Sequence, residues 1–428
     1  MKKVGFCTLG CKVNQYETNG MIQKFKDRQY EIVDFNQYAD IYIINTCTVT
    51  NIADKKSRQM LRRVKELNSN SLVVAVGCYA QVAKDVLEKM EEIDLVLGNN
   101  EKADIVQYVE KSIKNKVQNI EKIGKKNSVS SVTEQKEFVD FGSITYSEKT
   151  RAVIKVQDGC DRFCSYCIIP YARGRVRSRK PENVITEIKD IAEKGIKEVV
   201  ITGIHIASYG KDFKNNYNLI DLLEEINKIE QIKRIRLGSI EPTLITDEFV
   251  KRLAKLEKIC DHFHLSLQSG CNETLKRMNR KYTIEEFEKV CKLLRKNFPN
   301  VSLTTDIIVG FPGETDIEFN KTYEFLKKIK FYKMHIFKYS PRKGTKAANM
   351  SGQIDGKIKE ERSQKLIELS NLMEREYNNS YIGKEVEVLF EEKDGDLYKG
   401  HTTNYIMVKV KSENKKLENV IKKVKYVP

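Results

Sequence analysis

The stretch Cys160-Asp-Arg-Phe-Cys164-Ser-Tyr-Cys167 places three thiols within eight residues. It follows the alternating run 151–157, which predicts a strand, so the thiols lie on a loop at a strand end. Three thiolates are one fewer than the four that commonly hold a 4Fe–4S cluster, which leaves one iron open to another ligand. A zinc loop is the alternative, but zinc normally needs a fourth Cys or His at short spacing. The nearest histidine, His205, belongs to another predicted element.

The size and composition of the chain set the limits for its fold class and partners. A chain of 428 residues is too long for one ordinary core, so we expect two or three domains. No run approaches the ~20 apolar residues of a membrane span, and the start lacks an apolar signal core, which predicts a cytoplasmic protein without membrane contact. Ten cysteines then indicate metal or redox chemistry. The net charge of +16 suits an RNA partner, although a Lys-rich basic proteome would give the same excess.

Residues 1–112 are predicted to form an α/β domain with a parallel sheet. Short apolar runs alternate there with helical patterns. The predicted strands are 3–7, 40–45, 71–77 and 94–98.

Cys11, Cys47 and Cys78 each follow the carboxyl end of one of these strands. Ligands of open parallel sheets bind at that edge, so three strand ends can bring three thiolates together. The alternative is that small residues simply occupy strand–helix turns. Together with the cysteine stretch 160–167, the pattern favours a second three-cysteine cluster site. Cys7 is interpreted as a core residue.

Residues 113–148 lack periodicity and are predicted to be a linker or an extended crossing. The segment 149–378 contains six strand–helix units and a final long helix, which predicts a partial (β/α)6 barrel. Barrel chemistry takes place at the carboxyl ends of strands. The candidates for that cavity are Thr202, Gly203, Glu241, Gln268 and Asp306.

Other polar residues of the segment 149–378 have structural interpretations. We expect its histidines to fill the pore or core rather than bind metal; they are His205, His262, His264 and His335. Three further cysteines lack cluster spacing and are interpreted as structural: Cys260, Cys271 and Cys291.

Basic residues follow the cysteine stretch and the last predicted barrel strand. Arg side chains can bind phosphate in a bidentate manner and stack on exposed bases, so this placement beside the presumed cavity favours RNA contact over a solvated charged face. The candidates for RNA binding are Arg173, Arg175, Arg177, Arg179, Lys338, Arg342 and Lys343. Residues 379–428 change to short strands and predict a small β-barrel of a kind common in RNA-binding proteins.

Taken together, these motifs resemble the methylthiotransferase branch of radical S-adenosylmethionine (SAM) enzymes. The resemblance rests on Cys160-x3-Cys164-x2-Cys167 and its continuation to Arg179, and on three N-terminal segments. Those segments are Thr8-Leu-Gly-Cys11-Lys-Val-Asn-Gln, Asn45-Thr-Cys47-Thr-Val-Thr50 and Val76-Gly-Cys78-Tyr-Ala-Gln81. The segment 379–428 resembles the TRAM domain of this branch. Within the branch, 45–50 and 264–271 look most like the enzymes that act on N6-threonylcarbamoyladenosine in tRNA.

The resemblance implies a radical-SAM insertion of a methylthio group at C2 of that adenosine, at position 37 beside the anticodon. It implies two 4Fe–4S clusters on the six cysteines, with SAM at the open iron of the cluster on 160–167. No catalytic residue beyond the cluster ligands is expected, and the cofactor side would be lined by the five strand-end candidates. The expected partners are the tRNA anticodon stem-loop and an electron donor such as flavodoxin or ferredoxin.

Three alternatives stay open at this point. The substrate could be N6-isopentenyladenosine in tRNA or an aspartate of a ribosomal protein. A non-enzymatic RNA-binding protein with structural metal clusters would also carry these cysteines.

Overall fold

Buried apolar strands organise the first part of the chain into a parallel sheet. The computed structural model describes residues 1–117, 126–146, 150–412 and 416–428. The strands of the first part are β1 Lys3–Thr8, β2 Glu31–Val33, β3 Ile41–Thr46, β4 Leu72–Gly77, β5 Leu95–Leu97 and β6 Lys126–Ser128. The helices are α1 Lys12–Asp27, α2 Asn51–Leu67, α3 Cys78–Val82, α4 Lys84–Glu88 and α5 Ile105–Val117. Strands β3 and β4 are buried throughout, because apolar clusters cover both sheet faces.

All neighbouring strands of this sheet are parallel, in the order β2-β1-β3-β4-β5-β6. After β1 the chain adds β2 on one side and then returns to add β3 on the other. The gap between β1 and β3 is therefore the topological switch point, where sheets of this type leave a crevice at their carboxyl edge.

The structure differs from the sequence predictions at a few elements of this part. Strands β2 and β6 were not predicted; each has only three residues at a sheet edge. Ala83 separates α3 from α4, because its φ of −131° is not helical. Helix α5 continues to Val117, and β6 pairs with β5, so part of the predicted linker 113–148 belongs to this fold. Residues 118–125 and 147–149 of that linker lie outside the described residues.

The second part is a curved parallel wall covered by helices. Its strands are β7 Arg151–Asp158, β8 Arg177–Ser178, β9 Glu198–Gly203, β10 Arg234–Leu237, β11 Ser239–Ile240, β12 His262–Gln268, β13 Ser302–Val309 and β14 Lys333–Lys338. Its helices are α6 Ile169–Arg173, α7 Pro181–Glu193, α8 Leu219–Asn227, α9 Asp247–Leu253, α10 Asn272–Arg277, α11 Ile284–Asn297, α12 Asp316–Ile329 and α13 Gly356–Asn379. None of the described helices is long and apolar enough to cross a lipid bilayer.

The wall consists of two sheets, β10-β9-β7-β8 and β11-β12-β13-β14. Only Gly238 separates β10 from β11, and an isolated bridge between Ile235 and Ile259 joins the sheets further. Apart from the short β8, all strands of the wall are parallel. The predicted partial (β/α)6 barrel is confirmed, and the cysteine stretch 160–167 follows its first strand.

The third part is an antiparallel sheet of β15 Glu385–Asp394, β16 Leu397–Thr402, β17 Met407–Lys411 and β18 Ile421–Lys425. The strand order is β17-β16-β15-β18, and β15 and β16 form an antiparallel hairpin. A bulge between Phe390 and Glu392 bends β15, which curls the sheet around its own apolar cluster.

This C-terminal sheet closes the amino-terminal end of the barrel. The Arg234 guanidinium donates to the carbonyl oxygens of His401 (2.9 Å) and Glu387 (3.0 Å). The Ser302 hydroxyl donates to the carbonyl of Asn404 at 2.6 Å. Both Arg234 and Ser302 are the first residues of barrel strands, so the contact forms a floor opposite the cysteine loop.

Tyr405 is the centre of that floor. Its ring stacks on His262 (centroids 4.8 Å apart) and on His401 (4.6 Å). The guanidinium groups of Arg236 and Arg151 lie 4.8 Å and 5.4 Å from the ring centroid. A single aromatic side chain therefore packs against both domains.

We predict that Tyr405→Ala loosens the C-terminal sheet from the barrel. Loss of the half-buried, stacked ring should lower the free energy of unfolding by about 2 kcal/mol. Amide hydrogen exchange in β16 and β17 should accelerate. Tyr405→Phe is the matched control, because it keeps the stacking and should cost about 1 kcal/mol or less. Unchanged exchange in the Ala variant would contradict a central role for this ring.

Candidate active site

The first three-cysteine site lies at the carboxyl edge of the N-terminal sheet. Cys11 follows β1 and caps α1, Cys47 directly follows β3, and Cys78 follows β4 as the first residue of α3. Burial raises the pKa of the Cys47 thiol to about 11, and the neighbouring Cys78 and Cys11 add to the increase. The three thiols, which are distant in sequence, therefore lie close enough to influence one another.

The loops that carry these thiols are held by one glycine and one asparagine. Gly10 has φ +99°, and a Cβ there would lie 2.8 Å from the Cys47 sulfur, so only glycine permits this approach. The Asn14 amide donates to the carbonyl oxygens of Leu9 (2.7 Å) and Thr46 (3.1 Å). Sequence reasoning missed Asn14, although its position three residues after Cys11 was a usable signal.

The second three-cysteine site is the loop after β7. The Cys160 amide donates to the Gly174 carbonyl (3.0 Å), and the Cys167 amide donates to the Cys164 carbonyl (2.9 Å). Gly159 has φ +71°, and a Cβ there would lie 1.8 Å from the Arg175 carbonyl oxygen. The loop is thus folded back on itself, with the three side chains on one short turn.

The pKa values of these thiols indicate which kind of group the loop can bind. Burial raises the pKa of Cys160 to about 11 and that of Cys167 to about 12, and the adjacent thiols contribute to both shifts. Thiols that oppose each other's ionisation need a bound cationic group to hold them as thiolates. All six cysteines are unpaired, so their sulfurs are available to metal.

The distances within each site favour a cluster over a single ion. Three thiolates around one tetrahedral zinc would lie about 3.8 Å apart, from Zn–S bonds of about 2.3 Å. Among the described residues, the one group of potential ligand atoms within 4.8 Å of one another is His264, Asp306 and His335, so neither cysteine trio meets that spacing. Irons at separate corners of a cluster accommodate the wider separation.

Arg173 connects the two cysteine sites. It ends α6, six residues after Cys167, and its Nε lies 3.2 Å from the Cys78 sulfur. Its other nitrogens donate to Glu17 (2.7 Å), Asn14 (2.7 Å) and Asp158 (3.2 Å). A buried guanidinium therefore joins the Cys78 site to the segment that follows the cysteine loop 160–167.

Buried charge around Arg173 is predominantly positive. Glu17 and Asp158 are the two carboxylates, and their cationic neighbours are Lys102, Lys155, Arg173 and Arg177. Burial alone would raise the pKa of Glu17, but the charges of Arg173, Lys102 and Lys155 hold it well below its usual value. The excess positive charge lies beside Cys78 and suits thiolates bound to a cluster.

The RNA-contact prediction is wrong for four arginines, because their side chains are buried in ion pairs. Arg177 bonds the Arg173 carbonyl at 2.7 Å. Arg179 bonds Asp140 at 2.8 Å and pairs with Glu187. Arg342 bonds Asp54 and Thr48, both at 2.6 Å, which ties the loop after β14 to the Cys47 loop. The four buried side chains are those of Arg173, Arg177, Arg179 and Arg342.

The exposed candidates for RNA contact lie in two places, beside the cysteine loop and at the end of β14 with the loop after it. The Arg175 guanidinium lies 4.8 Å from the ring centroid of Phe163, which in turn contacts Tyr171 edge-on at 6.1 Å. All three side chains are exposed at the cysteine loop, a combination suited to stacked bases. Lys338 pairs with Glu360 at 2.5 Å, and Lys343 is exposed on the loop after β14.

Four of the five cofactor-side candidates lie at strand ends around the cysteine loop, and Glu241 is the most constrained. Its Oε2 lies 3.0 Å from His205 Nε2, and its Oε1 lies 3.6 Å from Arg280. Burial opposes its ionisation, but His205, Arg280 and Arg162 lower its pKa to about 2. Arg280 also lies 3.2 Å from the Cys164 sulfur, and sequence reasoning missed it.

The other cofactor-side candidates have different surroundings. Thr202 and Gly203 end β9, and a Cβ on Gly203 would lie 2.9 Å from the Gln157 carbonyl oxygen. Gln268 has φ +73° where β12 departs from regular register. Asp306 is the exception, because it lies in the middle of β13, 3.1 Å from His264.

The three cysteines that were interpreted as structural, Cys260, Cys271 and Cys291, are buried.

Comparison with known proteins agrees with this arrangement. Residues 154–326 match the Radical SAM superfamily, and residues 3–98 match Uncharacterized protein family UPF0004. A solved structure of the radical SAM methyltransferase TsrM from Kitasatospora setae shares the fold, with TM-score 0.55 and 15% identity over 79% of this chain and 73% of that one. The barrel and its cysteine loop thus define a radical SAM enzyme.

Proteins of similar sequence identify the branch of radical SAM enzymes to which the chain belongs. The chain is 42% identical to threonylcarbamoyladenosine tRNA methylthiotransferase MtaB of Bacillus subtilis (99% of this chain, 93% of the relative). It is 44% identical to the protein of that name from Aquifex aeolicus (95% and 96%). A tRNA-2-methylthio-N(6)-dimethylallyladenosine synthase of Moorella thermoacetica is 37% identical (94% and 90%). The chain belongs to the tRNA methylthiotransferase family, whose members use SAM and 4Fe–4S clusters. The resemblance and the cofactor predictions are confirmed.

We predict that Arg173 stabilises the folded protein, whereas Arg175 contributes little to its stability. Arg173→Met leaves Glu17 and Asp158 short of a partner and should lower the free energy of unfolding by about 3 kcal/mol. Iron retention at the N-terminal site should fall as well. Arg175→Met, two residues away and exposed, should change stability by less than about 0.5 kcal/mol. Anaerobic denaturation and iron analysis measure both effects, and equal stability of the two variants would contradict the assignment.

Proposed function

We propose that the chain inserts a methylthio group at C2 of N6-threonylcarbamoyladenosine 37 in the tRNA anticodon stem-loop. The observation that carries the proposal is the pair of three-thiol sites joined through Arg173, which follows the second cysteine loop and contacts Cys78 of the first site. One three-thiol loop suffices for radical chemistry alone, whereas a sulfur-inserting enzyme also needs a site that holds sulfur. The relatives at 42% and 44% identity favour this adenosine by their names.

Each loop has a separate role in the proposal. Cys160, Cys164 and Cys167 hold the cluster that leaves one iron for SAM. Cys11, Cys47 and Cys78 would hold the second cluster, which would supply the sulfur. When bound, the clusters and SAM supply the one-electron and methyl-transfer chemistry that side chains cannot provide.

The surrounding residues position and insulate these groups. Arg280 donates toward the Cys164 sulfur, and Arg173 donates toward the Cys78 sulfur; both hydrogen bonds stabilise thiolate charge. Glu241 stays ionised beside the cysteine loop and is available to a cationic amino group of SAM. The strand ends at Thr202, Gly203 and Gln268 complete the cofactor side.

The base must leave its stack to reach the cavity, as for other enzymes that modify bases. The exposed group of Phe163, Tyr171 and Arg175 offers rings and a cation for the flanking nucleotides. Lys338 and Lys343 would contact phosphates. A small electron-transfer protein, such as flavodoxin or ferredoxin, would reduce the cluster on the cysteine loop.

We predict distinct losses for the two cysteine sites. Cys164→Ala should abolish SAM cleavage and methylthiolation. Cys47→Ala should retain SAM cleavage, measured as 5′-deoxyadenosine, but lose the methylthio product. Each variant should retain about four of about eight irons. Cys7→Ala is the control and should keep full iron.

Nucleoside mass spectrometry of the reacted tRNA reads out the product. Thiolation of N6-isopentenyladenosine instead, or of a ribosomal protein, would replace the proposed substrate. Full RNA binding without SAM cleavage by the wild-type protein would favour the non-enzymatic alternative.

We predict that Arg175 and Lys343 contact tRNA phosphates. The double Ala variant should reduce the slope of log affinity against log salt concentration by about 1.4 to 1.8, because each phosphate contact contributes about 0.7 to 0.9. Lys189→Ala, exposed on α7 at the barrel exterior, should leave the slope unchanged. An unaltered slope in the double variant would show that these side chains are only solvated.

A further inference from the structure

One face of helix α2 is exposed and carries a row of basic side chains. From Ile52 onward its exposed residues recur at helical spacing, so they form one continuous stripe about 20 Å long. This basic stripe consists of Ile52, Lys55, Lys56, Gln59, Arg62, Arg63 and Glu66. On the opposite face Leu61 and Val64 are buried against the N-terminal sheet.

The charge of α2 differs from that of the barrel helices. Helix α2 has six cationic residues, Lys55, Lys56, Arg58, Arg62, Arg63 and Lys65, and two carboxylates, Asp54 and Glu66. Helix α12 balances three lysines against three carboxylates, and α7 is acidic overall. A Lys-rich composition would add positive charge to all surface helices alike, so composition does not explain the excess on α2.

The positive charge of the stripe is compensated least in the half nearer the Cys47 loop. Among the described residues, neither Lys55 nor Lys56 forms an ion pair with a carboxylate. The pairs of this helix surface lie further along, between Arg62 and Glu92 (3.6 Å) and between Lys65 and Asp94 (3.4 Å). Like charges three or four residues apart on a helix repel each other, as at Lys55 and Arg58. An anionic partner would relieve this repulsion.

Contacts of the loop after β14 place the start of the stripe beside the cysteine loop 160–167. The Asn51 amide, at the first residue of α2, donates to the Ser340 hydroxyl at 3.2 Å. Further along the same loop, the Ala347 amide donates to the Ser165 carbonyl at 2.7 Å. Lys343 lies between these two contacts. The basic stripe therefore begins next to the exposed cations of the proposed RNA contact and runs away from them along the N-terminal domain.

The composition of the stripe favours a nucleic acid over an acidic protein as the partner. Protein interfaces have an apolar centre and a polar rim. In the basic stripe the apolar side chain, Ile52, lies at one end, and the centre is polar and charged. A row of Lys and Arg side chains matches successive phosphates of a nucleic-acid strand, which such side chains bind irrespective of base sequence.

We propose that the basic stripe of α2 binds the sugar–phosphate backbone of the tRNA anticodon stem while the anticodon loop reaches the cysteine sites. This inference rests on the proposed function and deepens it, because it assigns a substrate-binding surface to the N-terminal domain. Lys55 and Lys56 contact phosphates nearer the loop, and Arg62 and Arg63 contact phosphates further along the stem. The stripe positions the RNA and takes no part in the chemistry.

The test measures binding of the reconstituted holoenzyme to an anticodon stem-loop RNA that carries N6-threonylcarbamoyladenosine, at several salt concentrations. The double variant Lys55→Gln/Lys56→Gln should reduce the slope of log affinity against log salt concentration by about 1.4 to 1.8, because each phosphate contact contributes about 0.7 to 0.9. In turnover, the KM for the RNA should rise by about 10-fold with little change in kcat, as expected when binding alone is weakened.

The matched control is Lys111→Gln/Lys114→Gln. It removes the same charge from two exposed positions of α5, which packs on the other face of the same sheet. This variant should keep the slope and the KM of the wild type. Iron content and the free energy of unfolding should equal those of the wild type in both double variants, because all four side chains are exposed.

Each outcome decides a separate point. An unchanged slope in the α2 variant, or an equal reduction in the α5 variant, overturns the inference. Slower cluster reduction by flavodoxin in the α2 variant, with reduction by a small chemical reductant and the RNA slope both unchanged, would assign the stripe to an acidic electron donor and also overturn it. Failure of the wild type to methylthiolate the bound RNA would overturn the proposed function alone, since the slopes come from binding.

Discussion

The buried ion pairs around Arg173 are the constraint on which the rest of the structure depends. The guanidinium contacts Glu17 and Asn14 of helix α1, Asp158 of strand β7 and the Cys78 sulfur. These residues come from the N-terminal domain and from the barrel, so the two domains share a single buried charge network. Because unpaired buried charge is costly, the domains cannot separate without a large free-energy penalty. Their relative position is what sets the two thiol sites opposite each other.

The same network closes the open side of the barrel. A wall of six main strands is incomplete, and its lumen-facing polar residues would otherwise be open laterally. Helix α1 packs along β7 and joins it through Glu17 and Lys155, 2.7 Å apart. The C-terminal sheet closes the floor through Tyr405 and the backbone acceptors of Arg234. Helix α1 and the C-terminal sheet therefore pack against the barrel at β7 and at the amino ends of its strands.

Local patterns predicted the sheets, the barrel and the position of the cysteines, because strand ends in parallel sheets share one edge. These patterns gave the wrong environment for Arg173, Arg177 and Arg179, because arginines at every second position are typical of an exposed surface. One carboxylate partner of Arg173, Glu17, is 156 residues away in sequence, and no local periodicity indicates such a pairing. The short edge strands β2 and β6 were missed for a related reason, since three residues carry too little pattern.

Cys11 and Glu17 both belong to helix α1, Cys11 at its N-cap and Glu17 in its second turn, and this helix links the N-terminal thiol site to the barrel. The ion pairs of Glu17 with Arg173 and Lys155 hold the helix against β7. A shift of the Cys11 end relative to the cysteine loop would therefore have to break buried ion pairs, which is costly. Proximity between two sites accelerates reactions only when the geometry is rigid, and this charge network supplies that rigidity.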